Sequence, residues 1–353
     1  MIRANPLQGQ VSMRPGLTRH WRDFPNMNKR TIIVLFALGI ACFLLACGSP
    51  EQKRDKFFKK GVSLYEQGDY IKARLEFKNA LQIDLKYAKA WHMLGMVEFR
   101  AGKSKEAFKA LSKAVDLDPT LLNAQLTLAK LYLSIKNTAK AMEKISLVLN
   151  EQPDDPAALL VKSAVLLAEK DDESAKSILH ALLKKGLTQP DVYIMLAAAY
   201  TNENKPEIVK KVLHDGIAAN PNSIVLKRLL ADTLIVLGDL KGATRQYEEI
   251  IAIQPDNIDS QLKFAEFCLT SNQPDKAEVI LNRIAEADPG HVGKRIAIAR
   301  LYFNNNLMEK AGEELHDALS HNPGSFKLRF ALSEYLTNDS TSITARSATT
   351  SIT

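Results

Sequence analysis

One small residue, returning every 34 positions, constrains the fold of this chain more than any other feature. Ala73, Ala107, Ala141, Ala175, Val209, Ala243, Ala277 and Ala311 keep that spacing without insertion or deletion. Twelve residues earlier stand Gly61, Gly95, Ala129, Ser163, Ala197, Ala231, Ala265 and Ala299, all small. Twelve residues later stand Leu85, Pro119, Pro153, Leu187, Pro221, Pro255, Pro289 and Pro323. A fixed period of this length describes one supersecondary unit stacked on itself, here eight times from Arg54 to Ser325.

With Arg54 as position 1, the small residues occupy positions 8 and 20, each expected mid-way along a helix. Two antiparallel helices approach closely only where side chains are small. Position 15 lies between them and reads Gly68, Gly102, Lys136, Lys170, Asn204, Gly238, Asn272 and Asn306. Gly and Asn tolerate the left-handed backbone that ends a helix, so six of the eight repeats carry a stop there. Pro at position 32 closes the second helix. Large apolar residues recur at position 7 (Leu94, Leu128, Leu196, Leu230, Phe264, Ile298) and position 24 (Phe77, Leu111, Leu179, Leu213, Tyr247, Leu281, Leu315). One repeat cannot bury that surface alone, whereas neighbours bury it for each other.

Trp91, Leu94, Gly95, Ala107, Ala114 and Pro119 resemble the tetratricopeptide repeat signature at its proper spacing. Tyr132, Tyr200 and Tyr302 fall on its aromatic eleventh position, where the second repeat has Glu98. The first and fourth repeats lack the terminal proline, and the fifth has Val209 and Gly216 where alanines are usual. The resemblance implies an all-α fold, an α-solenoid coiled as a right-handed superhelix. Its repeats run 54–87, 88–121, 122–155, 156–189, 190–223, 224–257, 258–291 and 292–325. Residues 326–337 resemble a capping helix or the first helix of a truncated ninth repeat. The Ser/Thr-rich stretch 338–353 lacks periodicity and reads as disordered.

The formal net charge of +7 invites a nucleic-acid reading until the charge is located. Residues 1–46 carry Arg3, Arg14, Arg19, Arg22, Lys29 and Arg30 against Asp23, a surplus of five, which leaves +2 for the remainder. The repeats are therefore nearly neutral, and no basic stripe is interleaved with stacking aromatics, which disfavours nucleic acid. Lys53-Arg54 and Lys59-Lys60 read as ordinary helix faces, placed near enough to the anchor described below to meet acidic lipid. Of three cysteines, Cys42 lies in an apolar run and Cys268 at position 11 of the seventh repeat, the place of a small core hydrophobe. No pair implies a disulfide or a metal site.

The third cysteine, Cys47, carries the address. Lys29-Arg30 precede fifteen apolar residues, Ile32 to Ala46, too short to span a bilayer and suited to a secretory signal. The run ends Leu44-Leu45-Ala46-Cys47, which resembles a bacterial lipobox and implies cleavage before a lipid-modified Cys47. Gly48 then permits an outer-membrane destination facing the periplasm. Met27-Asn28-Lys29-Arg30 makes a normal signal start, so translation is expected to begin at Met27. Residues 47–53 form the lipidated cysteine and tether, the six after Cys47 reaching roughly 20 Å.

No catalytic constellation is legible. Gly102-Lys103-Ser104 resembles the end of a phosphate-binding loop, but Val97 stands where that loop needs glycine, and Gly102 already serves the position-15 turn. The histidines show no helical pair at metal spacing. No enzyme activity, cofactor or metal is expected. The resemblance instead implies a concave groove lined by positions 2, 5, 9 and 12. Early groove residues are then Phe58, Val62, Tyr65, His92, Met96, Phe99, Leu126, Lys130 and Leu133. Leu160, Ala164, Leu167, Ile194 and Ala198 follow, and then the charged Arg228, Asp232, Glu266 and Arg300. An apolar groove suits an extended or helical protein segment.

The expected function is a membrane-anchored protein-interaction scaffold for assembling an envelope, secretion or exopolysaccharide-export machine. The opening repeat resembles those of lipoproteins of exopolysaccharide export and C-terminal protein sorting. Alternatives are a type IV pilus secretin pilot lipoprotein and the repeat arm of a truncated glycosyltransferase-type enzyme.

Overall fold

The computed structural model describes residues 49–337. The signal region, Cys47, the expected start at Met27 and the tail 338–353 lie outside the described residues. Among the described residues there is no strand; the chain is a succession of helices joined by tight turns. It divides after Ala124 into two compact parts.

The first part holds α1 (Pro50–Glu66), α2 (Tyr70–Ile83), α3 (Ala88–Arg100) and α4 (Ser104–Leu117). Helix α1 begins four residues ahead of the repeat register, so residues 50–53 are helix rather than tether. Ser49 explains the early start: its hydroxyl accepts from the Gln52 amide, Gln52 reciprocates, and Pro50 occupies the first turn, where no amide hydrogen is needed. The second part runs from α5 (Leu122–Ser134), which straddles the division, through α6 (Thr138–Glu151), α7 (Pro156–Ala168), α8 (Asp172–Lys184), α9 (Pro190–Asn202) and α10 (Pro206–Ala219). It continues with α11 (Ile224–Val236), α12 (Leu240–Ile253), α13 (Ile258–Thr270), α14 (Pro274–Ala287), α15 (Val292–Asn304) and α16 (Met308–His321). A final helix, α17, covers residues 326–337.

Every residue at positions 8 and 20 is buried. At Gly95 the approach is close enough that an added Cβ would stand 2.6 Å from Leu111 Cγ. Gly216, in the place of a usual alanine, is occupied from the other side: an added Cβ would stand 2.8 Å from the Tyr193 ring. The position-15 turn is more uniform than its residues. All eight adopt positive φ, including Lys136 at 60° and Lys170 at 64°. The hairpin imposes the left-handed turn even where the residue does not favour it. The fourth repeat, lacking its proline, closes one residue earlier through Gly186 at φ 84°.

At two junctions position 21 of one repeat meets position 11 of the next, a pairing absent from the sequence pattern. Glu98 is only 6% exposed at position 11, and Arg74 holds its carboxylate in a fork, Nε to Oε1 at 2.6 Å and a terminal nitrogen to Oε2 at 2.9 Å. In the fourth and fifth repeats Lys176 Nζ lies 5.0 Å from the centre of the Tyr200 ring. Either an aromatic or a carboxylate can thus receive a cation at this place, and the buried Glu98 is satisfied because Arg74 stands opposite it.

Candidate functional site

In the first part, the six candidate groove residues are all half-buried. Phe58, Val62 and Tyr65 on α1 pack partly into the core around Phe77, Leu81 and Leu94. The Phe58 ring centre is 5.8 Å from Phe77 and 5.1 Å from Tyr87, and Tyr65 meets Tyr70 edge-on at 5.4 Å. Phe58 is therefore inter-helix packing as much as surface, because ring pairs at these separations hold α1 against its neighbours. On α3, His92 has a buried Nε2 without a hydrogen-bond partner, and desolvation lowers its pKa. Met96 and Phe99 follow one and two turns along.

In the second part, Leu126 lies in the core, 7% exposed, and does not line an open surface. Lys130 and Leu133 do. With Leu160, Val161, Ala164, Asp191 and Met195 they line a cleft of about 500 Å³ between the first helices of successive repeats. Positions 9 and 12 of the third repeat and 5 and 9 of the fourth thus share one cleft. Asp155, Gln189 and Met195 were invisible to that rule because they come from the turns and from position 6. A second cleft of about 400 Å³ is lined by Ile194, Ala198, Leu229, Val236 and Asp232, among others. Asp232 is exposed as a residue, yet desolvation raises its pKa against the opposing pull of Arg228 and Lys263. A third cleft of about 300 Å³ sits under α17, between Ile296, Phe303 and Tyr335, with Arg300 and Glu334 in its lining.

These surfaces are apolar floors with few charges, the chemistry of a segment-binding face. Among the described residues no group of three or more His, Cys, Asp or Glu could hold a metal ion. No helix among them is long and apolar enough to cross a membrane. Cys268 is fully buried, and desolvation pushes its thiol up to about 11, so it packs as a hydrophobe.

Stacked helical hairpins with apolar clefts along their first helices define an α-solenoid interaction scaffold. The chain carries tetratricopeptide repeats: family models with that description match residues 58–121, 98–165 and 234–294. A tetratricopeptide repeat protein from Parabacteroides merdae has the same fold, with a TM-score of 0.54 at 15% identity over 81% of this chain and 99% of that one. The human protein O-mannosyl-transferase TMTC3 is 22% identical over 58% of this chain and 23% of its own length. A peroxisomal targeting signal receptor from Komagataella phaffii is 31% identical over 41% of this chain and 25% of its own length. The chain thus spans about a quarter of the length of these two relatives.

Proposed function

We propose that the chain is a non-catalytic scaffold that captures apolar protein segments at a bacterial envelope. The observation that carries the binding part is the cleft lined by Lys130, Leu133, Leu160, Ala164 and Met195, whose apolar walls come from three successive repeats. A peptide laid there contacts several repeats at once, and one relative of part of this chain is by name a receptor for a targeting signal. The envelope part rests on the lipobox resemblance ending at Cys47 and on the apolar run before it. The machine served would be one of export, secretion or sorting.

Panning a displayed peptide library against the full chain tests the cleft. Apolar peptides should be enriched, and Leu133→Asp with Leu160→Asp should abolish their binding while helical circular dichroism stays intact. Undiminished binding in that variant rejects the site. Cell fractionation with palmitate labelling tests the anchor: label and membrane residence should disappear in Cys47→Ser. A second reading, the repeat arm of a larger glycosyltransferase-type enzyme, is favoured by the TMTC3 match; a genomic reading frame running on past Thr353 into a catalytic domain would establish it.

A further inference from the structure

The outward face of α2 departs from that of every other second helix. Positions 18 and 22 point away from the hairpin, and in repeats two to eight they hold charged or small residues, with Val279 the one larger apolar side chain. In the first repeat they are Ile71 and Leu75, which are 78% and 58% exposed. The two lie one turn apart, and Lys78 and Gln82 extend the same stripe at helical spacing. Lys72 flanks it, and the exposed Leu85 and Lys86 follow just past the helix end. Exposed apolar side chains in contiguity mark an interaction surface.

Charge selects the partner. No free carboxylate stands on this face. Asp69 pairs with Lys72, Asp84 with Arg54, and the buried Glu76 with Lys60. Lys78 and Lys86 join no ion pair among the described residues and remain available. Large apolar side chains flanked by unpaired lysines are the composition of an interfacial helix, whose apolar groups enter the headgroup region while lysine stems extend to lipid phosphates. A protein partner would need its own acidic, apolar complement; an anionic bilayer supplies both in one surface. The apolar run Ile32–Ala46 also lies just before α1 in the chain.

We propose that the Ile71–Leu75 face of α2 lies against an anionic lipid surface, orienting the first repeat on the membrane. The inference goes beyond the anchored-scaffold reading and does not require lipid on Cys47.

The test uses full-length protein on vesicles carrying photoactivatable acyl chains, with and without phosphatidylglycerol, and maps lipid adducts by mass spectrometry. Adducts are expected within residues 70–86 on anionic vesicles. They should fall about fivefold when Lys78 is changed to Gln, the effect of removing one lysine from an anionic surface. They should vanish in Ile71→Glu/Leu75→Glu, with helical circular dichroism preserved. Cys47→Ser separates the two ideas, since it should weaken anchoring yet leave adducts on the bound fraction. Equal adducts on neutral vesicles, or undiminished adducts in the double variant, overturn the proposal. So does their absence on every vesicle, which would leave the face to a protein.

Discussion

Changing Arg74 to Met should expose how strongly the first two repeats depend on one buried charge. Glu98 is almost wholly buried, and both its carboxylate oxygens accept from the same guanidinium. Removing that partner strands an ionised group in the core, a loss of about 3–5 kcal/mol. The reverse change, Glu98→Leu, leaves the charge on Arg74, whose side chain is 21% exposed and can turn to water. It should cost about 1 kcal/mol. Arg74→Met/Glu98→Leu should be nearly neutral, since neither charge remains and an apolar pair fits the aromatic slot used by Tyr132 and Tyr200. Repeat arrays need not unfold in one step, so a global midpoint alone is insufficient. Amide hydrogen exchange over α2 and α3 reads the local stability directly. If the two single costs add in the double variant to within about 0.5 kcal/mol, the pair is not coupled and the reasoning fails.

The remaining predictions concern the turn, the close approach and the buried imidazole. Lys136→Gly and Lys170→Gly should each stabilise by about 0.5 kcal/mol, since φ near 60° strains a side-chain-bearing residue more than the added unfolded-state freedom costs; a lower urea midpoint would contradict this. Gly95→Ala should cost about 1–3 kcal/mol, because the new Cβ meets Leu111, and thermal unfolding measures it. Burial lowers the pKa of His92, so the unfolded chain takes up that proton first as pH falls through the ordinary imidazole range. His92 therefore subtracts stability below that range and nothing above it. His92→Gln should flatten the pH dependence of unfolding there, and an unchanged slope would place the proton elsewhere.

The hairpin architecture was legible because each constraint acts within a repeat: small residues at positions 8 and 20 and a turn at 15 need only local geometry. The site was partly legible. Lys130, Leu133, Leu160 and Ala164 share a cleft, since positions 5, 9 and 12 fall on one side of a first helix. Leu126 did not obey the rule, and Phe58 does so while also packing into the core, because burial there is set by neighbouring helices rather than by register.

By itself the sequence determined the period and the helix pairs. Such signals repeat along the chain or sit in contiguous residues. Only the tertiary structure decided which charges are satisfied and which apolar groups stay uncovered. Arg74 and Glu98 are 24 residues apart and meet only when two hairpins stack. The left-handed turns at Lys136 and Lys170 are likewise imposed by hairpins on residues that would not choose them. Ile71 and Leu75 are apolar in the sequence, and only the packing of α2 shows that they stay exposed.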